Sequence, residues 1–321
     1  MKILDSDIKS QTFDCFNVFS IKNNSAFKHI HFGDNDSFYN ALFDYFFDEQ
    51  KLIEYCENKK KIKFNPTSQN FVMFYKFLKK FIDSENIEKD IDDIDEELFK
   101  IMNEEYTLVI PDPNTSEQKL RVKLDKMGKV GEYIFSCILS NYYNYDCILP
   151  KLHLITNYNM SVFGIDTLFY REIDDLLLFG ESKISYTLDN GIHLINKSLK
   201  DYEKLISDEF EIVLCNPLYK DKLNKFNEIF SDIADSCISI KEFIEKAKIQ
   251  KIGIPIFIAH GTTICEKDIL QALSSIKVPN ILGITPVLMA ISLPIINKNK
   301  FIFTFTEMVR KKMEYYDNQR N

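Results

Sequence analysis

The sequence predicts an α/β fold with a mixed central sheet flanked by helices. Three observations carry that prediction. From Met127 onward, apolar patterns follow one another in the order helix, three strands, helix, strand. Residues 251–259 are apolar on both faces, as in a strand covered on both sides of a sheet. The chain of 321 residues holds 27 Phe and 16 Tyr against only 9 Gly and 9 Pro. That is enough bulk for a large core, and too little Gly and Pro for a low-complexity chain.

Elements before Met127 are shorter. Residues 11–32 alternate through Phe13, Cys15, Phe16, Val18 and Ile21, which predicts one or two strands. Residues 37–47 read as a helix with Phe38, Leu42, Tyr45 and Phe46 on one side. Residues 67–82 read as another, with Phe71, Phe74, Tyr75, Leu78 and Ile82 at helical spacing. In residues 83–105, Ile87, Ile91, Ile94, Leu98 and Ile101 recur at intervals of 4, 3, 4 and 3, which predicts a helix with an acidic outer face. Pro111-Asp-Pro-Asn-Thr-Ser is the clearest break, with short strands expected on either side of it at 107–110 and 120–124. The expected division is therefore an N-terminal α/β accessory region, 1–110, and a second domain, 111–321.

Within the second domain, residues 127–141 predict a helix with Val130, Ile134, Cys137 and Ile138 as its stripe. Strands are expected at 147–155, 161–170 and 176–183. A helix over 187–206 would bury Ile192, Ile195, Leu199, Tyr202 and Ile206. Residues 301–305 suggest a last strand. Residues 278–297 lack charge, but Pro279, Pro286, Pro294 and Gly283 argue for strands and turns over a membrane helix.

The net charge of −8 mostly reports one segment, since residues 83–105 hold 11 acids and 2 lysines. An acidic balance is thus a weak argument against a nucleic-acid partner. Seven dispersed Cys without a C-x-x-C pair fit a reducing compartment, and the acidic start does not resemble a signal peptide, so the expected location is the cytoplasm, with no membrane partner.

The chemistry-bearing residues are Asp166, in Gly164-Ile165-Asp166, and Glu181 and Lys183, in Gly180-Glu181-Ser182-Lys183. An acid-x-Lys triplet alone says little, because the chain has five of them. This one ends an apolar run that follows another strand ending near an acid. The strand period of two puts Glu181 and Lys183 on one face and turns Ser182 away. If the strand carrying Asp166 pairs with this one, three charged groups converge. Two carboxylates make a hard oxygen site suited to Mg²⁺, with Mn²⁺ as an alternative. Such an ion activates water and offsets charge on a phosphate, and a lysine beside it can orient the attacking water. Gly164 and Gly180 would leave room for a nucleic-acid backbone, and Glu132 on the preceding helix could add a third carboxylate through water.

Helix acid, strand acid and then Glu-x-Lys on the next strand is the order of the PD-(D/E)xK nuclease superfamily, matched here by Glu132, Asp166, Glu181 and Lys183. Ile165 stands where that pattern has proline. More narrowly, Gly-Glu-Tyr-Ile-Phe, Phe-Gly-Ile-Asp and Leu-Leu-Phe-Gly-Glu-Ser-Lys resemble the HamA family, the nuclease subunit of the Hachiman anti-phage system. The resemblance covers roughly 127–260. It implies a restriction-endonuclease-like core, Mg²⁺-dependent cleavage of DNA, and a helicase partner subunit. It also implies that Asp166, Glu181 and Glu132 hold the metal while Lys183 assists the nucleophile. Two rival readings are a catalytically silent binding module on the same fold and a stand-alone restriction endonuclease.

Other constellations are weaker. His193, Lys197, Lys200 and Lys204 line a helix face opposite its apolar stripe, as a solvated face or as phosphate contacts. His29 and His31, near Asp34 and Asp36, lack the ligand number that zinc needs. Cys265 with His260 has no orienting third group. No G-x-x-x-x-G-K phosphate loop occurs, which argues against an intrinsic NTPase.

Overall fold

A computed structural model describes residues 3–13, 16–32, 38–49, 51, 67–72, 75, 87–90, 109–111, 120–123, 127–149, 166–214, 239–295, 304, 308 and 311–319. In chain order the elements are β1 (Ile8–Phe13), β2 (Phe16–Ile21), β3 (Asn24–Phe32), α1 (Phe38–Phe46), β4 (Ile87–Asp90), β5 (Val109–Pro111), β6 (Leu120–Lys123), α2 (Met127–Cys137) and β7 (Asp146–Leu149). They continue with β8 (Thr167–Arg171), β9 (Leu176–Ser185), α3 (Leu188–Ser198), α4 (Tyr202–Leu214), α5 (Ile240–Lys246), β10 (Lys251–His260), α6 (Glu266–Leu273) and β11 (Val287–Pro294). The expected order of helix, three strands, helix, strand is present as α2, β7–β9, α3 and β10.

Two compact units result. The first joins Met1–Gly33 to Phe135–Ile296, and the second joins Asp34–Ile134 to Asn297–Asn321. This differs from a boundary at 110/111, and strand pairing is the reason. β3 runs parallel to β11, with Phe27 beside Ala290 and His29 beside Ser292, so the N-terminal hairpins extend the main sheet. The break at Pro111 instead falls inside a small sheet of the second unit, where Pro111 lies opposite Leu120.

The first unit holds an eight-stranded sheet in the order β1-β2-β3-β11-β10-β9-β8-β7. Its middle strands β3, β11, β10 and β9 are parallel, and antiparallel neighbours flank them on both sides. The burial of β9 and β10 follows from their apolar residues on both faces, whereas the polar β1 forms a mostly exposed edge. α3 begins where the Thr187 hydroxyl accepts the Asn190 N–H. The stripe Ile192, Ile195, Leu199, Tyr202 and Ile206 is buried as the sequence predicts, although a 3-10 turn at Leu199–Asp201 divides it between α3 and α4. Gly191 lets α3 lie close on β10: a Cβ there would sit 2.4 Å from Ile258 Cγ2.

The second unit holds the three-stranded sheet β4-β6-β5. Leu42, Phe43, Tyr45 and Phe46 are buried on α1, and the Tyr133 hydroxyl donates to the Phe46 carbonyl. Phe71 stacks on Tyr316 at 4.6 Å between ring centroids. The helix expected over 83–105 is corrected at Ile87–Asp90, a strand whose Asp90 lies opposite Arg121 of β6. Tertiary pairing there overrides a helix-like period. The rest of that segment lies outside the described residues. Thr304 is helical, against the strand expected at 301–305, whose other residues also lie outside. Among the described residues no helix is long and apolar enough to cross a membrane, and most of the uncharged run 278–297 is accounted for by β11 and an isolated bridge between Ile281 and Ile284.

Candidate active site

The β8–β9 hairpin fixes the site. Its register runs from Arg171 opposite Leu176 to Thr167 opposite Gly180. At the turn, Asp175 adopts a left-handed conformation with φ 49°, and the Arg171 guanidinium grips both oxygens of Asp174 at 2.7 and 2.6 Å. At the other end the Asp166 N–H donates to the Gly180 carbonyl at 2.9 Å, which carries the ladder one residue beyond β8. Asp166 therefore meets β9 beside Glu181.

Glu181 is 4% exposed, and Lys183 shares its sheet face. The Lys183 ammonium donates to Glu181 Oε1 while keeping 27% of its side-chain surface in water. Asp166 Oδ2 accepts two hydrogen bonds, from the Ser182 N–H at 2.6 Å and the Ser182 hydroxyl at 2.8 Å. Burial pushes the Glu181 carboxyl up from its ordinary range, and the Asp166 charge pushes it further. The charge and the hydrogen bond of Lys183 oppose that rise without cancelling it, helped by the nearby Ser198 at the end of α3.

The backbone around Glu181 is unusual for a sheet centre. Pro255, in β10, has no N–H to donate, and the β9–β10 register is interrupted at Ile254 and Pro255, next to Gly180. Gly180 itself does not leave open space. A Cβ there would lie 2.0 Å from Thr167 Oγ1 and 2.8 Å from Phe135 Cε1, so its missing side chain serves packing and not the approach of a nucleic-acid backbone. Gly164 lies outside the described residues.

The structure thus brings together Asp166, Glu181 and Lys183. Glu132 is buried on α2, in the second unit. Sequence reasoning missed Ser182 as the partner of Asp166. The strand period correctly turns the Ser182 side chain away, but its amide lies in the sheet plane, where Asp166 reaches it. His193, Lys197, Lys200 and Lys204 are all exposed.

On the same face, β10, β11 and β3 carry a second polar group. His29 Nδ1 lies 2.8 Å from Ser292 Oγ, and the His29 and His260 rings stack at 6.3 Å. His260 Nδ1 accepts the Thr262 N–H at 3.2 Å, while Nε2 is buried without a hydrogen-bond partner among the described residues. Burial lowers His29 to about 3 and His260 to about 4. Cys265 donates to Asp268 at 3.1 Å, so no thiol–imidazole pair forms with His260. Among the described residues no three His, Cys, Asp or Glu side chains gather as a metal cluster.

Comparison with known proteins finds no matching curated protein and no matching solved structure. The family model HamA matches residues 6–309, nearly the whole length, and spans both units as well as the Asp166, Glu181 and Lys183 site. The chain therefore belongs to the HamA family.

Proposed function

We propose that this chain is a metal-dependent DNA nuclease of PD-(D/E)xK type on a restriction-endonuclease-like core, acting in Hachiman anti-phage defence with a helicase partner. One observation carries the reading: Asp166 Oδ2 is bonded to the Ser182 amide, between Glu181 and Lys183 on β9, so two carboxylates and an ammonium meet at one end of the β8–β9 hairpin. Two carboxylates held this near each other call for a cation, and hard carboxylate oxygens suit Mg²⁺ or Mn²⁺. When bound, such an ion supplies Lewis acidity toward a phosphodiester and its attacking water. Asp166 and Glu181 would hold it. Lys183, partly in water, orients the nucleophile or offsets charge on the phosphate. The exposed His193, Lys197, Lys200 and Lys204 offer contacts to the DNA backbone. The chain has no G-x-x-x-x-G-K loop, so a helicase partner would supply any NTP-driven step.

The test is DNA degradation by the purified chain, alone and with its helicase partner, in Mg²⁺ and in Mn²⁺. Replacing Glu181 and Lys183 together by Ala should lower the rate by at least about a hundredfold while the folded far-ultraviolet signal persists. A double variant that cuts at the wild-type rate overturns the assignment. The closed Glu181–Lys183 pair favours one rival, a silent binding module whose strand is simply salt-bridged. Wild-type protein that takes up neither cation would establish that rival.

A further inference from the structure

We propose that Ser182, the middle residue of the Glu-x-Lys triplet, is a positioning residue that sets which oxygen of Asp166 faces a cation. This inference rests on the metal-binding reading above and assigns a role to a residue outside the motif.

β8 starts at Thr167, but β9 runs on to Ser185. Beyond Gly180, among the described residues, the edge of β9 is met by Asp166. Asp166 Oδ2 takes the Ser182 amide at 2.6 Å and the Ser182 hydroxyl at 2.8 Å. Charge-assisted bonds of this length are the strong kind, and two donors on one oxygen hold both its position and the plane of the carboxylate. The grip leaves Oδ1 as the oxygen not engaged by Ser182. Ser182 is 7% exposed and its side chain projects from the face opposite Glu181 and Lys183, so it can bond Asp166 without entering the space between the motif side chains. The triplet thus divides its labour by strand parity. Its outer residues present charge on one face, and its middle residue fixes the neighbouring strand's carboxylate from the other.

Ser182 thus holds one of the two carboxylates through its side chain and amide, while Glu181 is held by Lys183. Partners of this kind orient ligands and typically govern metal affinity by ten- to a hundredfold.

The test is calorimetric titration of the full chain with Mn²⁺ alone, without DNA. Ser182→Ala keeps the amide bond and removes only the hydroxyl, so it should weaken Mn²⁺ binding about tenfold. Ser182→Thr, which restores the hydroxyl, should recover most of that loss, an outcome that generalised loosening of the strand would not give. Asp166→Asn is the control for the site and should abolish binding. The unfolding midpoint of each variant is measured alongside, and if Ser182→Ala fails to fold, Ser182→Thr against Ser182→Val gives the same contrast at matched shape. Wild-type binding lost in Asp166→Asn but unchanged in Ser182→Ala overturns the role of Ser182 and leaves the metal reading standing. Wild-type protein that binds no Mn²⁺ overturns both.

Discussion

Two buried polar groups share one face of the main sheet, and they are built in opposite ways. The His29, Ser292 and His260 group is sealed: the three residues are 3%, 0% and 0% exposed, and both imidazoles are held neutral by burial. The Asp166, Glu181 and Lys183 group keeps a connection to water through Lys183 and sets two carboxylates against each other. In the first, desolvation is answered by removing charge. In the second, two carboxylates are kept beside each other, Asp166 held by Ser182 and Glu181 by Lys183. A buried polar cluster becomes a candidate site when it keeps charge that its own protein partners do not fully balance, and not merely because titratable residues meet.

The largest expected effect breaks or supports the claim that the histidine group is neutral. Its folded-state values, about 3 and about 4, lie below the ordinary 6.5. The unfolded chain then binds protons that the folded chain refuses. The stability this gives is complete above pH 6.5 and is lost as pH falls through the folded values. Between pH 6.5 and about 4, two protons are taken up on unfolding, a slope of about 2.7 kcal/mol per pH unit. Urea unfolding at pH 7, 6 and 5 measures it, in a range where carboxylates contribute least. His260→Gln should halve the slope. A flat profile would mean that the imidazoles are charged or reached by water.

The next effect concerns the floor beneath the carboxylates. Gly180→Ala drives a methyl group into Thr167 Oγ1 and the Phe135 ring, and overpacking of this kind costs about 1–3 kcal/mol. Thr167→Ala removes the nearest atom, and its hydroxyl has no hydrogen-bond partner to lose among the described residues. The double variant should therefore be more stable than Gly180→Ala alone, by denaturant midpoint. Strict additivity would show that Phe135, and not Thr167, sets the limit.

Much of this arrangement was legible in the sequence, and what was hidden has one physical cause. Period-two reading placed Glu181 and Lys183 together, because alternation is a property of one strand. The stripe from Ile192 to Ile206 was legible for the same local reason. Placement of β1–β3 in the main sheet was not, since pairing of β3 with β11 joins residues more than 250 apart through backbone groups that every residue has. The strand at Ile87–Asp90 was hidden by isoleucines whose spacing also suits a helix. The backbone amide of Ser182 as a partner of Asp166 was hidden because hydrogen bonding across elements leaves no periodic trace. What local pattern supplied was the identity of the charged groups, and what tertiary contact supplied was their restraint.

The smallest expected effect sharpens the contrast between the two groups most directly, because it predicts a sign. Glu181 is raised above its ordinary value of 4.5 by burial and by Asp166. A group raised on folding contributes stability that is fully present below the unfolded value and is lost as pH rises through the folded one. At pH 7 the Glu181 carboxyl is therefore a cost to the cation-free protein. Glu181→Gln keeps the shape while discarding the charge, so it should raise the unfolding free energy at pH 7 by on the order of 1 kcal/mol. The Lys183–Glu181 pairing is lost with the charge, but with 27% of the lysine side chain in water that loss is screened. The advantage should shrink toward pH 4, as Glu181 becomes protonated in both states. Adding Mn²⁺ should reverse the order by stabilising the wild type and not the variant, whereas His29→Gln and His260→Gln should gain from the cation as the wild type does. Chemical denaturation at pH 7 and pH 4, with and without Mn²⁺, reads all of these. A Glu181→Gln variant less stable than wild type at pH 7 in the absence of cation would mean that the bond from Lys183 outweighs the repulsion from Asp166, and that this group, like the histidines, is already balanced by the protein itself.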